Sequence, residues 1–311
     1  QGRRAGVQSN RGTQEFLEKR LTHKGQSGNR AGCRFSIAER PQYLVCRGES
    51  VIECFRMIEE KNILLTIAYD GTGFFGWQRQ PHARTVCGEL ERLLSDICGF
   101  PVELFGASRT DAGVHALGQS ASFSGRMGIP AEGVARAVND ALSQNRLERI
   151  GEIQIVSALE KPPGFHARYD ATGKRYRYRI RNARKADLFL RKYCYQVTEP
   201  LDVNAMKTAA DFLVGEQDFR CFLSAGGNPQ KTTVRRIENC SVEKKEDEIL
   251  LSVSGNGFLY HMVRNITGTL VEIGAGKRPP EEMKQILESR DRSRAGHTAP
   301  PQGLYLEEVF Y

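Results

Sequence analysis

No stretch of this chain stays apolar for the roughly 20 residues that a membrane-spanning helix needs, and the N-terminus lacks the apolar core of a secretory signal. Both absences point to a soluble, cytoplasmic protein with no membrane partner. No two of the eight cysteines form a CxxC pair, and none lies near a histidine at zinc-ligand spacing. They read as ordinary reduced thiols, and no metal is expected. A dinucleotide fingerprint is missing too, because Gly71 and Gly73 are too close together to form one. No cofactor is expected.

Methionine is absent from residues 1–56, and the first is Met57. That segment has no sustained period of 3.6 or of 2 and is rich in Arg, Gly, Gln and Ser. It fits a disordered basic arm, an organellar transit peptide, or sequence outside the true reading frame. A transit peptide should be poor in acids, yet Glu15, Glu18, Glu39, Glu49 and Glu53 are present. We expect a mis-set start or a dispensable arm, with the working protein on about residues 57–311. The segment carries 11 basic and 5 acidic residues, and the remainder 34 and 32, so most of the net charge of +8 lies in the leader. The body would have to meet a polyanion through a local basic patch.

From Ile63 onward the pattern is regular. ILLTIAY (63–69) reads as a strand that runs into the turn residues DGTG. In TVCGELERLLSDICG, the residues Val86, Leu90, Leu93, Leu94 and Ile97 recur at helical spacing, with Thr85 as N-cap and Gly99 as stop. PVELFGAS and GQSASFSG read as strands, PAEGVARAVNDALSQ as a helix, and GEIQIVSAL as a strand. The second half repeats this order. GKRYRYRI is a strand, LDVNAMKTAADFLVG a helix capped by Asp202 and ended by Gly215, and VRRIENCSVEKKEDEILLSVSG a hairpin turning at 244–247. GFLYHMVRNITGTLVEIGAG is a helix, Pro279, Pro280 and Glu281 open another, and GLYLEEVFY is the last strand. The expected class is α+β, with two ferredoxin-like β-α-β-β-α-β units on residues 57–162 and 163–311. Their antiparallel sheets would join edge to edge around a central cleft, a surface that RNA-binding proteins often use.

Three segments carry candidate chemistry. In GASRTDAGVHALGQ (106–119), Asp111 and the glycines fit a plain turn. The sharper reading is a carboxylate at a strand end, held ionised by Arg109 two residues away. His115 is nearby, but no nucleophile elbow accompanies it. In KRYRYRI (174–180), alternation puts Arg175, Arg177 and Arg179 on one face and Lys174, Tyr176, Tyr178 and Ile180 on the other. This fits an amphipathic edge strand, or an aromatic for base stacking with cations for phosphate. In SGNGFLYHMVRNITG (254–268), Phe258, Met262 and Ile266 form an apolar stripe that Arg264 interrupts. A cation there needs a partner, and Asp111 is the strong candidate.

Five blocks stand in order: YDGTGFFGWQRQ (69–80), GASRTDAGVHALGQ, FHARYDATGKRYRYRI (165–180), GNGFLYHMVRNITG (255–268) and AGHTAPPQGLYL (295–306). In sequence and spacing the chain resembles the tRNA pseudouridine synthase A family from about Met57 to Tyr311. Residues 1–56 have no family counterpart, and SQNRLERIGEIQI (143–155) lacks the Leu-Pro turn that the family would bring there. The resemblance implies Asp111 as the catalytic carboxylate, Tyr176 as the aromatic at the target base, and Arg264 as the ion-pair partner of Asp111. It implies that Arg109 assists extrusion or binding of the nucleotide, and that Trp77, Gln78 and Arg79 shape the cleft. It further implies action on uridines 38 to 40 of the tRNA anticodon arm, by a homodimer that grips one tRNA across both subunits.

The chemistry so implied breaks the N1–C1′ bond, turns the uracil and forms a C5–C1′ bond. Nothing is oxidised or reduced. The target base must first leave its stack, at a cost of roughly a few kcal/mol. Asp111 would then attack C1′, attack C6, or take the C2′ proton, and the residues do not choose among these. Two rival classes are weighed. A non-catalytic RNA-binding protein would explain the basic strand but not a carboxylate–arginine pair in a cleft. A nucleobase deaminase would need an HxE and a PCxxC segment, and neither is present.

Overall fold

The computed structural model describes residues 59–144, 151–227 and 229–311. These belong to one compact unit, Glu49–Tyr311. The expectation for residues 1–56 lies outside the described residues, as does the 145–150 part of the segment lacking Leu-Pro. The architecture is mixed α+β, with ten strands in one sheet and five α-helices among the described residues.

The first half contains β1 (Glu59–Tyr69), α1 (Val86–Cys98), β2 (Phe105–Gly106), β3 (His115–Met127), α2 (Ala131–Gln144) and β4 (Ile153–Lys161). Alternate residues of β1, Ile63, Leu65 and Ile67, are fully buried and pack in one core with Leu90 and Leu94 of α1 and Val134 and Val138 of α2. The boundaries of α1 follow from local chemistry. Thr85 has an extended backbone and accepts a hydrogen bond from Gly88 N at 3.3 Å, which satisfies one of the orphan donors at the helix start. Gly99 closes the helix at φ 75°, where a side chain would be strained. The strand expected over 101–108 contracts to two residues. The Val102 and Leu104 amides donate to Ser95 Oγ and Glu91 Oε1 of α1, not to a neighbouring strand.

The second half runs β5 (Gly173–Asn182), β6 (Tyr195–Val197), α3 (Val203–Asp211), β7 (Gly215–Asp218), β8 (Val234–Lys245), β9 (Glu248–Gly255), α4 (Met262–Gly274), α5 (Glu282–Ser289) and β10 (Leu304–Phe310). Asp202 caps α3 through Asn204 N and Ala205 N. That helix stops at Asp211, short of the expected Gly215, whose φ of 111° instead opens β7. The β8–β9 hairpin turns within 246–247, and α4 starts only at Met262. His261 just before it has φ 60°, a left-handed conformation that no right-handed helix continues. The helix expected from Gly257 is therefore corrected.

The sheet order is β4-β1-β3-β10-β5-β9-β8-β7, with β2 on β3 and β6 on β5. Pairing within each half is antiparallel apart from β5–β6, but the seam β3–β10 is parallel, with Tyr305 opposite His115 and Leu306 opposite Ala116. The two halves thus meet edge to edge along β3 and β10 in one continuous sheet.

Candidate active site

A cleft of about 1110 Å³ lies between the halves, and Asp111 lines it. Its position follows from the turn that carries it. The preceding residue, Thr110, is buried, and its Oγ1 lies 2.7 Å from the Tyr69 hydroxyl at the end of β1. Trp77 N donates to the Thr110 carbonyl at 3.1 Å. Gly76, at φ 83°, sits so close to that carbonyl that an added Cβ would be 2.5 Å from it. Only glycine lets the 71–80 loop press against the turn this closely. Val114 N then donates back to the Asp111 carbonyl at 3.1 Å.

Two residues at the start of α4 meet the carboxylate. Arg264 Nη1 is 3.1 Å and His261 Nε2 is 3.3 Å from Asp111 Oδ2. The N-terminal end of a helix itself favours an anion. Burial pushes the Asp111 carboxyl up, but the hydrogen bond and charge of His261 and the charge and hydrogen bond of Arg264 outweigh it. The net pKa lies below its ordinary value of 3.8. Arg264 is held on its other side as well: its Nε donates to the Ala299 carbonyl at 2.7 Å, and Ala299 N donates to the Arg264 carbonyl at 3.1 Å. Its side chain is 12% exposed, so both partners matter to a cation that water hardly reaches.

Tyr176 lines the same cleft from β5. Its hydroxyl is 2.8 Å from Ser108 Oγ, and its ring meets Phe258 edge-on at 5.0 Å. Burial, with the Asp111 charge adding, pushes the phenol up to about 12, against the opposing hydrogen bond of Ser108. It therefore stays neutral, an aromatic surface and not a base.

The other expected residues separate into two groups. Arg109, Gln78 and Arg79 are exposed on the cleft wall. Arg109 makes no ion pair among the described residues, so the reading in which it holds Asp111 ionised is replaced by Arg264 and His261. Trp77, Arg175 and Arg177 do not line the cleft. Trp77 is 1% exposed and packs against Gly106, where an added Cβ would lie 2.2 Å from its ring nitrogen. It supports the wall from the core and cannot touch a ligand. Arg175 and Arg177 lie on the sheet face opposite Tyr176, as alternation requires, and pair with Glu308 and Glu307. A role for them at the cleft is corrected accordingly.

His261, Ser108 and Phe258 are neighbours of Asp111 and Tyr176 that the sequence reading did not assign to the site. Lys174 is another: it lines the cleft, and its Nζ donates to the Ala107 carbonyl at 2.7 Å. The signal for His261 was present, three residues before Arg264, but nothing in the spacing announces its left-handed backbone.

A carboxylate held as an anion thus sits in a cleft walled by cations and aromatic rings, a lining suited to a charged, base-bearing polymer. The chain matches a family model described as tRNA pseudouridine synthase over residues 65–170 and 209–311. It is similar to tRNA pseudouridine synthase A of Acetivibrio thermocellus, 46% identical over 251 residues, and to that of Caldicellulosiruptor bescii, 44% identical over 251 residues. Each alignment covers 81% of this chain and 100% of the relative. The Brevibacillus brevis tRNA pseudouridine synthase A is 45% identical over the same span. The chain belongs to the tRNA pseudouridine synthase family.

Proposed function

We propose that this protein isomerises uridine to pseudouridine at positions 38, 39 and 40 of tRNA, with Asp111 as the catalytic carboxylate. The observation that carries the reading is the Asp111–Arg264 pair, 3.1 Å apart at the floor of a cleft that Tyr176 also lines. Family membership supports the reaction class.

The extruded uridine stacks on Tyr176, which supplies a flat apolar face without titrating. Asp111 stands ready as an anion, because His261 and Arg264 keep it so below its ordinary pKa. It attacks C1′ or C6, or removes the C2′ proton, and each route ends with the same atoms rearranged. The N1–C1′ bond breaks, uracil turns in place, and C5 bonds to C1′. The C5 proton leaves and N1 takes one up, so the reaction is balanced without a redox partner. Arg109 holds the displaced nucleotide from the exposed wall. Walls on both sides keep the freed uracil from solvent while it turns.

The strand orders β4-β1-β3-β2 and β10-β5-β9-β8 support reading residues 57–162 and 163–311 as two ferredoxin-like units. We further propose a cytoplasmic homodimer that grips one tRNA across both subunits. Pseudouridine mapping of tRNA incubated with the purified protein tests the activity: signal at positions 38–40 is expected, and its absence overturns the reading. Light scattering at micromolar concentration tests the dimer, and an active protein of monomer mass overturns that part. A non-catalytic RNA-binding role is the alternative, and it predicts binding without any turnover.

A further inference from the structure

Where β5 follows the turn at 165–170, three rings climb the cleft wall. Phe105 and His166 have centroids 5.0 Å apart, and His166 and Tyr169 4.3 Å apart. All three line the cleft. Tyr169 is 76% exposed, so most of a large ring faces solvent, with the Arg168 guanidinium carbon 6.0 Å from its centroid. The turn beneath is tied down at every residue. His166 N donates to Asp170 Oδ2 at 2.7 Å, Arg168 N to His166 Nδ1 at 3.1 Å, and Ala167 N to Ser122 Oγ at 3.0 Å. The Tyr311 hydroxyl donates to the Ala167 carbonyl at 2.9 Å. Such a turn offers its aromatic edge with little ordering left to lose on binding.

Cations stand beside the rings. Arg168, Lys174 and Arg235 line the cleft, and none forms an ion pair among the described residues. Burial, followed by the charges of Arg168 and Arg235, pushes the Lys174 amine down to about 8. The positive charges of the two arginines act against that of Lys174, and none of the three pairs with a carboxylate among the described residues. An arrangement of this kind is costly unless an anion is brought to it. Lys174 precedes Tyr176 by two residues on the same face of β5, about 7 Å along the strand.

We propose that the Phe105–His166–Tyr169 rings and the cations Arg168, Lys174 and Arg235 form a subsite for one unpaired nucleotide next to the target uridine. The rings take its base and the cations its phosphate. The subsite rests on the reading of the cleft as the tRNA site. It secures the strand on one side while the target turns over Tyr176.

The test uses an anticodon stem-loop RNA carrying 2-aminopurine beside the target uridine. With the full chain, binding quenches its fluorescence as the base stacks. Tyr169→Ala is expected to lose that quenching and weaken binding about tenfold, with the rate at saturating protein falling much less. Tyr169→Phe keeps both, since the ring suffices. Arg168→Gln lowers the slope of log affinity against log salt by about 0.7. Thermal melts establish that the variants fold, which the exposure of Tyr169 favours. If Tyr169→Ala binds and quenches as the parent does, or if Tyr169→Phe falls as far as Tyr169→Ala, the subsite does not exist. Failure of the parent to form pseudouridine would overturn the enzymatic reading alone, because the quenching reports binding and not turnover.

Discussion

Both sides of β5 bear positive charge, and the molecule treats that charge in opposite ways on the two. On the outer face every arginine is matched: Arg175 with Glu308, Arg177 with Glu307, Arg179 with Glu248 and Arg181 with Asp247. On the cleft face Lys174 has only a backbone carbonyl, and Arg168 and Arg235 nearby have no carboxylate among the described residues. A count of positive charge along the strand does not separate the two. What separates them is whether the protein neutralises its own cations. A matched arginine is already satisfied, whereas an unmatched one in a half-buried wall waits for a phosphate.

The strongest way to break this contrast is at Asp111, the cleft acid that faces both Arg264 and His261. Asp111→Asn should cut single-turnover pseudouridine formation by about 1,000-fold or more, while a gel shift finds tRNA affinity largely intact. If affinity and turnover fall together, Asp111 is a turn residue and no more. Next comes Arg264→Lys, which keeps the charge but loses the fork that reaches both Asp111 and Ala299. Turnover should slow by about 10- to 100-fold, the worth of a charged hydrogen bond. A rate equal to that of Asp111→Asn would mean that the arginine does more than hold the carboxylate.

The faces themselves are compared by Lys174→Gln and Arg177→Gln. The first should weaken tRNA binding and lower the salt slope by about one. The second should leave both unchanged and cost under about 1 kcal/mol of stability, as exposed ion pairs do. Equal effects would erase the distinction between the faces.

The smallest effect concerns acid. Asp70, Asp111 and Glu272 all sit below their ordinary pKa, because hydrogen bonds to the charged form outweigh burial. Their contribution to stability is complete above the ordinary carboxylate values and is lost as pH falls through the lower folded-state ones. Burial also holds the His115 imidazole below its ordinary value of 6.5, so the unfolded chain takes up its proton first and stability begins to fall as pH drops through that value. The melting temperature should decline modestly from about pH 7 to 5 and more steeply below about pH 4; a level curve between about pH 7 and 5 would mean that His115 is not held neutral by burial.

Much of the fold was legible in the sequence because local chemistry dictates it. Thr85 and Gly99 bracket α1, Asp202 opens α3, and the β8–β9 hairpin turns within the expected stretch. Errors arose where a distant partner decides. Alternation told which residues of β5 share a face, but not which face the cleft takes. The acids that settle it, Glu307 and Glu308, are about 130 residues away. The 101–104 stretch looks like a strand, yet its amides are taken by side chains of α1. Trp77 stands beside the polar Gln78 and Arg79, and only the bare backbone of Gly106 gives its ring a place inside. At the site itself, Asp111, Tyr176 and Arg264 were readable as motif residues. His261 was not, because a left-handed backbone at a non-glycine residue has no signature in spacing.

The strand β10 follows every other strand in the chain, yet it is seated in the middle of the sheet, between β3 and β5. During synthesis, each half can gather its own helices while the ribosome is still at work. The seam cannot form until residues 304–310 have emerged, nor can Arg264 find Ala299 until shortly before. Until those residues arrive, the chain carries two unjoined sheet edges, and Asp111 lacks the anchored Arg264 that faces it. A ribosomal pause before that point would leave the edges open to aggregation.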